Sequence, residues 1–170
     1  MTRGPRGDTK PAMEKILVSA CLVGQRVRYD GRDADPHEAL LARWQAEGRL
    51  VPICPEVAGG LPVPRPPAEL VAGRVLTRPG EDVTAAFTSG AQAALALAKR
   101  HGIRLAVLKA KSPSCGSAGI YDGTFTGRVV PGEGVTAALL RAHGIEVFSE
   151  LELAQVERRL AVFEARQGEL

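Results

Sequence analysis

Three cysteines carry the chemical interest of this 170-residue chain: Cys21, Cys54 and Cys115. An odd number cannot pair completely inside the molecule. Each follows a short apolar run. Cys21 comes after KILVSA (residues 15–20), Cys54 after LVPI (50–53), and Cys115 in the loop beyond RLAVLK (104–109). Such runs read as buried strands. In a parallel α/β sheet the segments leaving strand C-termini gather at one edge, where ligands bind. Cysteines separated by 33 and 61 positions can therefore converge.

Thiolates are soft ligands suited to Zn²⁺, Cu(I) or iron–sulfur clusters. A closed structural zinc site takes four ligands, often as C-x₂-C pairs. No such pair is present, nor a C-x₂-C-x₂-C run of the ferredoxin kind. Three ligands from three loops leave one coordination position open, as catalysis requires. The plainer reading is three buried thiols acting as small hydrophobes. Their shared setting, each at a strand exit beside Gly, Pro or Ser, argues against it.

The elements that must position these residues alternate. A helix is expected over 37–47, with Leu40, Leu41 and Trp44 on one face and Gly48 at its end. Pro52 in the second run favours an edge or terminal strand. Residues 59–67, with Pro62, Pro64, Pro66 and Pro67, read as a stiff extended loop. The strongest helix is 82–101, with Val83, Phe87, Ala91, Ala94, Leu95 and Ala98 as its apolar stripe and Gly102 as its stop. A Gly- and Ser-rich loop spans 110–134, with a turn at 121–123 and a short hairpin around 124–130. Helices follow at 135–143 and 150–165, with a strand at 146–148 between them. This pattern predicts one α/β domain over 13–166, a mostly parallel central sheet flanked by helices in a Rossmann-like three-layer arrangement, behind a flexible tail at 1–12. No dinucleotide fingerprint or P-loop is present.

Bulk properties narrow the function. The chain is 45% hydrophobic and only 4% aromatic, with a net charge of +3 and a pI near 9.0. Arg outnumbers Lys 17 to 5, but neither clusters, so no stable nucleic-acid partner is expected. An anionic small ligand stays open. No stretch approaches the roughly 20 apolar residues of a membrane helix, and the polar N-terminus lacks a signal-peptide core. A cytoplasmic protein is expected, where disulfides are disfavoured.

Longer motifs sharpen the reading. SACLVG (19–24), VRYDG (27–31), CPEVAGGLPVPR (54–65), KSPSCG (111–116) and IYDGTF (120–125) strongly resemble the DUF523 family, over residues 15–150. That family includes bacterial thiouracil desulfidases carrying a [4Fe–4S] cluster on three cysteines. The resemblance implies that Cys21, Cys54 and Cys115 are the ligands and that the fourth iron takes the thione sulfur of 2-thiouracil or a related base or nucleoside. It implies replacement of C=S by C=O, with sulfide left on the cluster. Glu56 matches the family's catalytic glutamate and Ser112 a serine that acts in catalysis or positions substrate.

Other residues are read less sharply. Asp30, Ser114 and Arg65 are candidate substrate contacts. Asp30 and Tyr29 equally suit a polar turn, Ser112 and Ser114 suit loop backbone capping, and Arg65 suits a surface charge. Lys109 and Lys111 would favour thiolate character at Cys115, or be solvated. His101 and His143 precede glycines at helix C-termini and read as caps, not metal ligands. Two rival functions stand beside the desulfidase: a non-catalytic cluster-binding, zinc-binding or redox-sensing module, and sulfur handling in tRNA thionucleoside metabolism. A sensor has little use for a carboxylate two residues from a ligand, which favours the enzyme.

Overall fold

The computed structural model describes residues 13–168; the tail expected at 1–12 lies outside them. Four parallel strands form the central sheet: β1 (Ile16–Ser19), β2 (Leu50–Ile53), β5 (Leu105–Leu108) and β8 (Glu146–Ser149), in the order β2-β1-β5-β8. All four residues of β1 and of β5 are buried. Buried on both faces, they are continuous apolar runs rather than alternating ones. β2 lies at the edge, where Pro52 costs no internal ladder bond.

Side chains alternate across the sheet. Ile16, Val18, Leu105 and Val107 point to one face, where they meet Leu41 and Trp44 of α1 (Ala39–Ala46) and Leu153, Val156, Leu160 and Phe163 of α5 (Leu153–Gly168). Leu17, Ala106, Leu108 and Val147 point to the other face. There they meet Ala94, Leu95 and Ala98 of α3 (Thr84–Arg100), and Ala137 and Leu140 of α4 (Val135–Ala142). These are the three layers the strand–helix alternation predicts.

The buried side of α3 carries Phe87, Ala91, Ala94, Leu95 and Ala98, as its periodicity requires, and also Gly90. The helix starts two residues later than expected, because Asp82 Oδ1 accepts the Thr84 N–H from outside it. Gly102 ends it at φ 64, a conformation that favours glycine. His101 and His143 take the C-cap positions of α3 and α4. His37 lies outside α1, exposed and at φ 54. Asp35 Oδ1 accepts its backbone N–H and draws it into a turn before the helix begins.

Two antiparallel hairpins stand apart from the sheet. One pairs β3 (Ala68–Val71) with β4 (Arg74–Thr77), the other β6 (Gly119–Tyr121) with β7 (Val129–Pro131). The second hairpin was expected from its turn residues, although its strands lie farther apart. The first carries a weaker signal: its two turn residues are Ala72 and Gly73, both at positive φ (50 and 82), where Asn-Gly or Asp-Gly is the usual pattern. A further short helix, α2 (Pro55–Ala58), opens with proline at its first position. At four residues it is too short for periodicity to reveal.

Candidate functional site

Chain order in the sheet reverses about β1. The first crossover leads outward to β2, and the chain then returns to place β5 on the other side of β1. Ligands bind at such reversals, outside the carboxyl ends of the strands. All three cysteines lie there. Cys21 sits in the 3₁₀ turn that follows β1, Cys54 caps the N-terminus of α2 directly after β2, and Cys115 is in the loop after β5. All three are free thiols, and all three line one cavity of about 390 Å³.

Local contacts hold each cysteine. Ala34 N–H donates to the Cys21 carbonyl at 2.8 Å. Cys54 Sγ lies 3.8 Å from the Val27 carbonyl. Ser19 Oγ donates to Cys115 Sγ at 3.4 Å and accepts the Lys109 N–H at 2.9 Å. Ser19 therefore joins the ends of β1 and β5 to the third cysteine. Sequence reasoning passed over it, because its role exists only once the two strands are neighbours.

Burial, followed by the adjacent Cys54, pushes the Cys21 thiol up to about 11 against the opposing pull of Lys109 and Arg28. Burial likewise pushes Cys115 up to about 12; the Ser19 hydrogen bond opposes it, while Cys21, Glu56 and Cys54 add to it. The thiols thus lie within one another's electrostatic reach. Among the described residues, no three His, Cys, Asp or Glu groups are arranged to hold a single metal ion. Three soft donors around a larger space fit a body wider than one ion, as an iron–sulfur cluster is.

The long helix seats the second cysteine. A Cβ on Gly90 of α3 would fall 1.8 Å from the Pro55 carbonyl oxygen, and one on Gly59 would fall 2.0 Å from the Ala86 carbonyl oxygen. Two glycines therefore let α2 lie backbone to backbone on α3, which sets the position of Cys54 and Glu56.

Glu56 lines the cavity. Its Oε1 accepts Arg65 Nε–H at 2.9 Å. Burial raises its carboxyl above the ordinary range, while Arg65 pulls it back by charge and hydrogen bond. Arg65 is neither a surface charge nor unengaged. Its remaining nitrogens donate to the carbonyls of Pro62 (3.0 Å) and Val27 (2.9 Å), and its backbone N–H donates to the Tyr29 carbonyl (2.8 Å). Ser112 Oγ accepts the N–H groups of Ser114 and Cys115, both at 3.1 Å, and also lines the cavity.

The other candidates are dispersed. Asp30 pairs with Arg28 at 3.4 Å and accepts the Arg32 N–H; Arg28 and Tyr29 line the cavity and Asp30 does not. Ser114 is fully buried outside it, sharing a 2.7 Å hydrogen bond with Thr136 at the start of α4. Lys109 lines the cavity and pairs with Glu150 at 3.2 Å. Lys111, at φ 71, does not line the cavity. The hairpins add lining residues that the sequence did not single out: Glu69, Arg78, Tyr121 and Phe125.

The chain resembles known proteins over most of its length. A family model described as 2-thiouracil desulfurase matches residues 16–152. The chain is similar to the uncharacterized protein YbbK of Bacillus subtilis (strain 168), 42% identical over 151 residues that make up 83% of this chain and 99% of the relative. It is also similar to a solved structure named [4Fe-4S]-dependent thiouracil desulfidase TudS. That match has 55% identity and a TM-score of 0.86, and covers 88% of this chain and 99% of the other.

Proposed function

Because the chain belongs to the 2-thiouracil desulfurase family, we propose that it is a [4Fe–4S]-dependent desulfidase that exchanges the thione sulfur of a thiolated pyrimidine, such as 2-thiouracil, for oxygen. The observation that carries this reading is the convergence of Cys21, Cys54, Cys115, Glu56 and Ser112 on one cavity. The three cysteines are the residues that would hold the cluster. When bound, the cluster supplies a soft Lewis acid for the thione sulfur.

The net change is hydrolytic. C=S and water give C=O and hydrogen sulfide, with no electron transferred. Glu56 suits the proton transfers this needs. Burial raises its carboxyl toward neutrality, where a general base works best. Arg65 occupies Oε1 and leaves Oε2 to take a proton from the water that attacks the thione carbon. The same oxygen returns that proton to the departing sulfur and relays the second from the newly added hydroxyl as C=O forms, so the sulfur leaves as hydrogen sulfide. Ser112 contributes a donor. Its Oγ already accepts two backbone N–H groups, so its own O–H is left to donate and steadies the negative charge that builds as C=S opens.

The cavity falls within the range of about 300–1,000 Å³ usual for small-molecule sites, which suits a free base or nucleoside. Of the lining arginines, Arg28 is engaged by Asp30 and Arg78 lies over the Phe125 ring; no stable nucleic-acid partner is proposed. Among the described residues no helix is long and apolar enough to cross a membrane. The free thiols suit the reducing cytoplasm, where we place the protein, with 13–166 as its catalytic domain.

The test is iron and acid-labile sulfide content after anaerobic reconstitution, followed by addition of 2-thiouracil. A cluster on every chain with release of sulfide and uracil is expected. A loaded protein that releases none would leave the cluster site and remove the substrate; a colourless, iron-free protein would remove both.

A further inference from the structure

Glu69 is a buried carboxylate that this chemistry does not use. It lies on β3, only 8% exposed, and lines the cavity. Its Oε1 accepts the backbone N–H groups of Gly123 at 2.9 Å and Phe125 at 3.1 Å. Among the described residues no group donates to Oε2, and no Lys, Arg or His pairs with Glu69. A buried carboxylate with one oxygen unmatched is costly, and such groups call for an explanation. The cavity is the side from which a partner can reach it.

That partner must be a donor, because a carboxylate only accepts. 2-Thiouracil carries an N–H on each ring nitrogen beside the thione carbon, and its nucleoside keeps one of them. We propose that Glu69 determines substrate specificity: Oε2 accepts a ring N–H of the base, while Oε1 holds the loop between β6 and β7 in place. That loop sits tightly on β3, since a Cβ at Gly123 would come 2.8 Å from the Leu70 carbonyl oxygen. It presents Phe125 at φ 60, with the Arg78 guanidinium 5.3 Å from its ring centre. Phe125 and Tyr121 give the cavity an aromatic wall that suits a flat base. The inference rests on the desulfidase reading and narrows its substrates to thiones that keep at least one N–H next to the reacting carbon.

The test is Glu69→Gln in the reconstituted holoenzyme. The amide oxygen still accepts the two backbone N–H groups, which fix the way the amide turns, and its NH₂ replaces Oε2. Donor then faces donor. The KM for 2-thiouracil and the Kd for uracil, the latter by equilibrium dialysis without turnover, are each expected to rise roughly ten- to a hundredfold, the effect of losing one hydrogen bond to a charged group. Wild type should prefer uracil over 1,3-dimethyluracil, which has no ring N–H, and the variant should lose that preference. Unchanged Kd and KM in a fully iron-loaded variant would show that Glu69 only ties the hairpins together. Loss of iron or of the folded state would show that its charge is structural, which also overturns the proposal. If wild type binds uracil in a Glu69-dependent way yet releases no sulfide from 2-thiouracil, the base-reading role stands and the desulfidase reading falls.

Discussion

Arg65 Nε lies 2.9 Å from Glu56 Oε1, and the same guanidinium holds the Pro62 and Val27 carbonyls. The pair is well shielded, with side chains 5% and 17% exposed. Arg65 thus fixes one oxygen of the carboxylate and clamps the proline loop to the segment after Cys21. In the proposed reaction Arg65 acts indirectly, through Glu56. Arg65→Lys, lacking the planar fork, should lower kcat far more than iron content. Arg65→Ala leaves a buried charge without its partner, a change that costs about 3–5 kcal/mol in buried pairs. Thermal unfolding should show the stability loss. A Lys variant with wild-type kcat would leave Arg65 a purely structural role.

Glu56→Gln should keep the cluster and lose turnover. Removing a positioned acid–base group typically costs about 10²–10⁴-fold in rate. Single-turnover sulfide release from reconstituted protein measures this directly. Sulfide release at the wild-type rate would take Glu56 out of the mechanism.

Each of Cys21→Ala, Cys54→Ala and Cys115→Ala should abolish iron loading while the far-ultraviolet circular dichroism stays that of the α/β fold. Cys21 and Cys115 each belong to a core, but the other members of both cores are apolar side chains of the sheet and helices, so Ala in place of one thiol need not unfold them. Full iron content in the Cys54 variant would overturn the ligand assignment.

Gly90→Ala sets two effects against each other. Alanine favours a helix interior by about 1 kcal/mol over glycine. Its Cβ would meet the Pro55 carbonyl at 1.8 Å, however, and backbone on both sides cannot turn away as a flexible side chain could. The clash should win, driving α2 off α3 and displacing Cys54 and Glu56 together. Reduced iron loading and reduced kcat, measured in parallel, are the expected result. A variant more stable than wild type with full iron would show that α2 can shift without harm.

The sequence by itself determined the layers and singled out three cysteines as candidate donors. Continuous apolar runs at 16–19 and 105–108, too short for helices, read as strands buried on both faces, as they are. The stripe from Phe87 to Ala98 can only be a helix packed on one side. Three cysteines at the exits of three strands can meet if the sheet is parallel, because the topology carries every exit to one edge. Glu56 stood out by the family resemblance and its closeness to Cys54, and Ser112 by the resemblance.

Tertiary structure decided what each polar group does with its hydrogen bonds. Whether Arg65 meets substrate or carboxylate depends on where the proline loop folds back. Ser114, near Cys115 in the chain, turns inward to Thr136 because α4 begins beneath it. Ser19 reaches Cys115 only because β1 and β5 are adjacent, 96 residues apart in sequence. Glu69 belongs to a hairpin with an uncommon turn, and its carboxylate meets Gly123 and Phe125 from a second hairpin more than fifty residues away. Local pattern sets periodicity and burial over a few residues. Partners chosen across the chain are set by packing, which no short window of sequence contains.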